Sequence, residues 1–388
     1  MSTVGHLSPG QWKNPGDRSA TKRDLNYWIE LAKLLERGGI NALFLADTYG
    51  GYDTTYEGSL DNCIRRAAQW PVTDPTIPIS AMAAVTKNLV FAITASTSFE
   101  PPFLLAKRFS TLDHFTRGRI GWNIVTSWKK AAFKAIGLES PIAHDERYEQ
   151  ADEYLRVLYK LWEGSWADDA ISPDPENDSY ADPDKIRTIH HHGKFLDLDT
   201  RHIVDPSPQR TPFLFQAGTS AAGSEFAATH AEGIFVSSHS PKLLRPKVKV
   251  IRDRAAALGR DPPIYQEVTK ADSLEAHKVR SNLDAFTTTS EYVPKWTPRV
   301  ISEKAAIGGL GPVSVGSPEK IADEMEYWIK EGDLDGFNLG YVTTPGSFED
   351  VVDLLIPELR RRGLYPEAPA ADVQLTAREK VYGEGQKG

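Results

Sequence analysis

The stretch ALFLAD, Ala42 to Asp47, decides how the rest of the chain is read. It is a short apolar run without polar alternation, and it ends in a carboxylate. An amphipathic segment leads straight into it: Leu25, Trp28, Leu31, Ala32 and Leu35 recur at helical spacing, and Gly38 and Gly39 close the pattern. Five more short apolar runs end in a polar residue or a glycine and precede helical pattern. They are LVFAITAS (Leu89 to Ser96), RIGWNIVTS (Arg119 to Ser127), PFLFQAG (Pro212 to Gly218), GIFVSS (Gly233 to Ser238) and GFNLGY (Gly336 to Tyr341). The helical segments include Asp152 to Trp162 and the run opened by Ser317 as N-cap with Pro318 at the first helical position. Apolar strands that do not alternate, each followed by a helix, predict a parallel sheet covered on both faces. The architecture is then an open doubly wound sheet or a closed (β/α)8 barrel.

The 388 residues suffice for one large barrel. With 40% hydrophobic and 10% aromatic residues the chain is too core-rich for disorder. A formal charge of -8 with no long basic run argues against nucleic acid as a partner. No apolar stretch approaches the ~20 residues that span a bilayer, so no membrane association is expected. The single cysteine, Cys63, makes no internal disulfide, and the N-terminus lacks an apolar signal region, so a cytoplasmic location is expected. Between Trp166 and Pro208 the composition turns to Asp, Pro, Ser and His, a long excursion of the functional-lid kind. From about Pro366 the chain reads as a tail outside the core. The expected organisation is one barrel domain over 1–365, with an insertion at about 166–208 and a tail over 366–388.

Nucleotide fingerprints fail on single residues. Gly311 and Gly316 have the outer P-loop spacing, but Ser317 stands where the lysine belongs; Gly309 and Gly311 are followed by Ser314, which breaks the dinucleotide motif. Any hydride must come from outside the chain. His190, His191 and His192 are consecutive and point apart on extended backbone, so no metal site is expected there. In a parallel barrel the chemistry sits at the carboxyl ends of the strands, here a hydroxyl-rich, largely uncharged set around Asp47, Thr94 to Ser98, Asn123 to Ser127, Gly218 to Ser220 and Ser237 to His239. Thr219, Ser220 and the following helix N-terminus suit a phosphate, and a plain capped turn fits equally well. His144 and Tyr148 fall four apart on one helical face and can share a ligand.

At these residues the sequence resembles the bacterial luciferase-like flavin-dependent monooxygenases, specifically the nitrilotriacetate, dibenzothiophene sulfone and long-chain alkane monooxygenase group. The resemblance runs from Gly5 to about Tyr365 on GHLSPGQW, ALFLADTYGGYD, SAMAAVTKNLVFAITAS, RFSTLDHFTRGRIGWNIVTS, HDERYEQADEYLRVLYKLWEGSW, PSPQRTPFLFQAGTSAAGSEFAATHAE and GSPEKIADEMEYWIKEGDLDGFNLGY. It implies a TIM barrel that receives reduced FMN from a separate NAD(P)H-dependent flavin reductase and uses O2 to oxygenate a small organic substrate, as a homodimer. It also implies FMN contacts at Asp47, Thr94, Asn123, His144, Tyr148 and Ser220, and a reaction pocket lined by His6, Tyr52 and Gln69. Trp128 stands where the alkane-oxidising branch has a histidine. Only MSTV precedes GHLSPGQW, and GRDPPIYQEVTKADSLEAHK stands where the family has its seventh strand, so most of strand 1 and the strand 7 region are expected to be missing and about six strands are expected. Two other functions fit the same fold: a degenerate non-catalytic flavin-binding barrel, and a deazaflavin-dependent oxidoreductase of the same superfamily.

Overall fold

A computed structural model of the chain describes residues 8, 10–51, 59–218, 220–238, 240–260, 264–268 (backbone only), 307, 312–367 and 373–386. All six apolar runs are strands: β1 (Ala42–Leu45), β2 (Val90–Ser96), β3 (Ile120–Val125), β8 (Phe213–Ala217), β9 (Gly233–Val236) and β11 (Gly336–Asn338). The short pieces numbered between β3 and β8 are two antiparallel ribbons, β4 (Ile171–Asp174) with β5 (Ser179–Ala181) and β6 (Ile189–His192) with β7 (Asp197–Thr200). They occupy the excursion expected from the composition. A seventh strand, β10 (Ile264–Val268), completes a parallel sheet of order β1-β2-β3-β8-β9-β10-β11.

β10 corrects the expectation that the strand 7 region is missing, because it pairs parallel with β9 on one side and β11 on the other. It escapes an apolar-run search because IYQEV carries Gln and Glu at its centre and follows two prolines. Proline is tolerated just ahead of a strand, where no ladder donor is lost. The expectation for strand 1, placed on MSTV, falls outside the described residues.

Helices follow the strands. α1 (Leu25–Gly38) precedes β1; α2 (Asp61–Arg66) and α3 (Ile79–Ala84) lead into β2; α4 (Pro102–Thr116) leads into β3; α5 (Lys130–Ala135) and α6 (His144–Tyr159) precede the excursion. α7 (Ala221–His230), α8 (Pro241–Ala257), α9 (Pro318–Gly332), α10 (Gly346–Asp350), α11 (Ile356–Arg361) and α12 (Glu379–Tyr382) follow. Asp24 caps α1 by accepting from the Asn26 amide, and Gly39 ends it in the left-handed region.

Both faces of the sheet are apolar for different reasons. Leu43, Leu45, Phe91, Ile93, Ile120, Trp122, Ile124 and Leu214 pack outward on α1, α4 and α6. Phe44, Ala92, Phe213, Phe215 and Phe235 point to the other face and pack on each other. The Phe44 and Phe235 rings lie 4.7 Å apart although β2, β3 and β8 separate their strands. On a flat sheet four steps of ~4.8 Å would hold them about 19 Å apart. The sheet is therefore curled into a half-barrel with a phenylalanine-filled interior. Phe215 stacks on Phe235 at 5.2 Å and occupies space left by two glycines: a Cβ on Gly121 would come within 2.8 Å of its ring, and one on Gly233 within 2.7 Å. Gly121→Val is expected to destabilise the fold by about 3 kcal/mol through overpacking, read as a lower urea midpoint at unchanged slope. An unshifted midpoint would mean that this interior is not tightly packed.

Buried polar groups pin the connections. Asp113 on α4 accepts from both the Gln209 backbone amide (2.9 Å) and its side chain (2.7 Å), which ties the return of the excursion to the sheet. Glu153 on α6 accepts from the amides of Lys194, Phe195 and Leu196 and from His191, seating the β6–β7 ribbon. Residues 373–386, expected as a tail outside the core, pack against the amino ends of the strands. Ala377 and Arg378 are buried there, and the Ala377 amide donates to Gly118.

Candidate functional site

The carboxyl ends of the strands carry the polar side chains. Thr94 on β2 and Asn123 on β3 are register partners on the inner face, and the Asn123 amide donates to the Thr94 hydroxyl at 2.9 Å. Both are buried, and Asn123 Oδ1 has no partner among the described residues. A desolvated acceptor without a partner is costly, and a ligand donor reaching this inner-face position would remove that cost. Asp47 lies two residues past Leu45, the partner of Ile93, and so at the same edge. Burial pushes its carboxyl up to about 6, with Asp74 and Glu100 acting in the same direction against the hydrogen bond from the Thr48 amide.

Gln69 is held in an unusual state. It is buried, its backbone has φ 55°, and its Oε1 has no partner among the described residues. A non-glycine residue held left-handed with an unsatisfied amide is a local cost of the kind that functional sites retain. His6 and Tyr52, expected to join it, lie outside the described residues, as does Thr219.

The second group gathers at the start of α7. Ser220 is the N-cap, its hydroxyl accepting from the Gly223 amide at 3.1 Å. His144 and Tyr148 open α6 with their rings 5.3 Å apart, and Tyr148 also packs on Phe226 of α7. The Tyr148 hydroxyl rests over glycines: a Cβ on Gly218 would approach it to 3.1 Å, and one on Gly223 to 2.9 Å. Side-chain-free backbone, a hydroxyl and a helix N-terminus converge there, a donor-rich cradle that suits a phosphate. The structure thus joins Thr94 to Asn123, and His144 to Tyr148 and Ser220, in two clusters on one edge.

Gln216, near the end of β8, was missed in the sequence. It is buried, its Oε1 has no partner among the described residues, and its amide nitrogen lies beside Gly218. The only sequence signal was its place in QAG at a strand end. Aromatic rings form one wall, with Tyr49 on Phe99 at 5.0 Å and Phe99 on Phe133 at 5.1 Å. The histidines of β6 pair with carboxylates, His190 with Asp199 and His192 with Asp197. Among the described residues no group of three or more His, Cys, Asp or Glu is placed to hold a metal ion, and no helix is long and apolar enough to cross a membrane.

Residues 5–334 match the family model of luciferase-like monooxygenases. The chain is 43% identical to the dimethyl-sulfide monooxygenase of Hyphomicrobium sulfonivorans, over 94% of this chain and 85% of that protein. It is also 43% identical to the long-chain alkane monooxygenase of Geobacillus thermodenitrificans, over 99% and 93%. The crystal structure of a long-chain alkane monooxygenase superposes with a TM-score of 0.88, covering 99% of this chain and 94% of the other. A riboflavin lyase solved with modified FMN and riboflavin, 30% identical, superposes with 0.83 over 99% and 94%. The family model spans most of the chain and the two relatives cover nearly all of it, so the chain is a member of the luciferase-like monooxygenase family.

Proposed function

We propose that the chain is the oxygenating component of a two-component system: it takes reduced FMN from a separate NAD(P)H-dependent flavin reductase and uses O2 to oxygenate a small neutral organic substrate, inside a closed (β/α)8 barrel. The observation that carries this is the cradle at the α7 N-terminus, where Tyr148, Gly218, Ser220 and Gly223 leave room and donors for a phosphate. Asn123, with its unpartnered buried oxygen, supports a second contact on the inner face, where a ring N–H would complete it.

Bound reduced FMN would supply the two electrons that let one oxygen atom of O2 pass to the substrate while the other leaves as water. The chain's residues bind, orient and exclude water. Tyr148, His144 and Ser220 would hold the phosphate, Thr94 and Asn123 would orient the ring with neutral groups, and Asp47 would offer it a carboxylate acceptor. The phenylalanine interior closes the site from below, and a dry site strengthens each of these polar contacts. The aromatic wall of Tyr49, Phe99 and Phe133 beside Asp47, with the Glu100 carboxylate paired to Arg108, favours a neutral partner over an anionic one.

Anaerobic titration with reduced FMN, followed by flavin fluorescence and the thermal melt together, tests this. Saturable binding with a raised melting temperature is expected. Tyr148→Phe should weaken affinity about tenfold, the worth of one hydrogen bond to a charged group. No binding of reduced FMN, or preferential binding of a deazaflavin, would overturn the reading.

A further inference from the structure

Lys22 has no part in the chemistry described so far, yet it is buried. It lies in the turn before α1. That helix packs on the outer face of the sheet and runs into the parallel strand β1, so its N-terminal end stands at the carboxyl edge of the strands. The loop after β11 leaves the sheet at the same edge. Among the described residues no ladder joins β11 to β1, the two ends of the strand order.

Side chains and backbone join these two segments. The Lys22 ammonium nitrogen donates to the Tyr341 hydroxyl and lies 4.5 Å from the centre of that ring. Asp17 accepts from the Thr344 amide at 3.0 Å, the Arg18 amide donates to the Thr344 carbonyl at 2.6 Å, and the hydroxyls of Tyr27 and Thr344 meet at 2.5 Å. We propose that Lys22 and Tyr341 form a clasp across this seam, positioning residues that hold the loop after β11 over the carboxyl edge and so keep the flavin site assembled. This rests on the flavin reading given above.

Among the described residues Asp17 on its own segment and Tyr341 on the loop after β11 face the amine, and Tyr27 on α1 stands near both Asp17 and Tyr341. Burial lowers the Lys22 amine to about 7 from 10.5, with Asp17 opposing. The sign follows from linkage: an opened clasp binds the proton more tightly than a closed one, so opening is promoted as pH falls from about 10 to about 7 and levels off below. A methionine of similar length would avoid that cost, which is why a buried lysine here points to a role beyond packing.

Hydrogen exchange of the full chain, read on the peptide 339–348 and corrected for intrinsic rates, measures the clasp directly. In the wild type, protection at pH 7 is expected to be about fifty-fold lower than at pH 9, with little further change at pH 6. Lys22→Met should keep the pH 9 protection throughout, and Tyr341→Phe should lower protection at pH 9. Reduced-FMN affinity, titrated anaerobically on the same proteins, should weaken from pH 9 to pH 7 more in the wild type than in Lys22→Met. Equal pH slopes of exchange in wild type and Lys22→Met would overturn the clasp. A pH-dependent clasp with matching affinities in both proteins would overturn its positioning role. If neither protein binds reduced FMN at any pH, the flavin reading falls, and the positioning role with it, whatever the exchange shows.

Discussion

Arg378→Met should cost the fold about 3 kcal/mol and lower the melting temperature by roughly 3–5 °C, although it lies close to the C-terminus. The guanidinium is buried at the amino ends of the strands. Its Nε donates to Glu232 at 2.7 Å and Nη2 donates to the other Glu232 oxygen at 2.9 Å and to the Thr211 carbonyl at 3.2 Å. Glu232 stands just ahead of β9 and accepts from the Leu214 amide at 3.0 Å, so the pair ties β8 and β9 to the terminal segment. Thr376 packs under Gly118, and Tyr382 reaches the ring of Phe213 at 6.2 Å. Methionine would keep the packing and remove the charge, leaving the Glu232 carboxylate desolvated beside one amide. Removing one member of a buried pair is the costly case, whereas replacing both is often mild. The double variant Glu232→Leu/Arg378→Met should therefore lose less than Arg378→Met alone. Reduced-FMN affinity, set at the opposite end of the strands, should stay within about twofold. A loss under 1 kcal/mol would show that residues 373–386 are not part of the cooperative unit.

That segment also shows where the sequence stops being legible. Pro, Ala and charge are the composition of a solvated tail, and nothing local distinguishes Arg378 from a surface arginine. Its burial depends on Glu232, far away in the chain, and pairings of that kind leave no periodic trace. β10 was hidden for a related reason, since Gln266 and Glu267 break its apolar run and only its pairing with β9 and β11 identifies it as a strand. The six other strands were legible because a sheet buried on both faces must be apolar throughout, and ALFLAD, GIFVSS and their like have no other use. At the site, the HDERY and QAGTS motifs located the cradle, because a helix start and a glycine-containing turn are local features. Gln216 was not singled out, since its significance lies in an unsatisfied oxygen that only the packing reveals. The buried Lys22 was unreadable for the same cause: its turn, RSATKRD, is as polar as any loop.

Asp47→Asn should make the apoprotein more stable and the enzyme poorer, an opposition that separates a functional carboxylate from a structural one. Burial holds the Asp47 carboxyl near 6, above its ordinary 3.8, so the folded state binds its proton more tightly than the unfolded state does. Stability is therefore lost as pH rises from about 4 to about 6, and the whole cost is present at pH 7.5. Two pKa units correspond to about 3 kcal/mol, which partial solvent access reduces to about 1–2 kcal/mol. Asparagine is neutral at every pH, so the variant should melt roughly 1–3 °C higher at pH 7.5, an advantage that fades toward pH 4. Turnover with a reductase, reduced FMN and a neutral organic substrate should fall ten- to hundredfold, since a charged acceptor on the flavin is worth about 1.5–3 kcal/mol. A variant both less stable and less active would instead make Asp47 a structural carboxylate whose bond to the Thr48 amide matters most. A variant more stable and fully active would remove Asp47 from the flavin site and leave Thr94, Asn123 and the Tyr148 cradle to hold it.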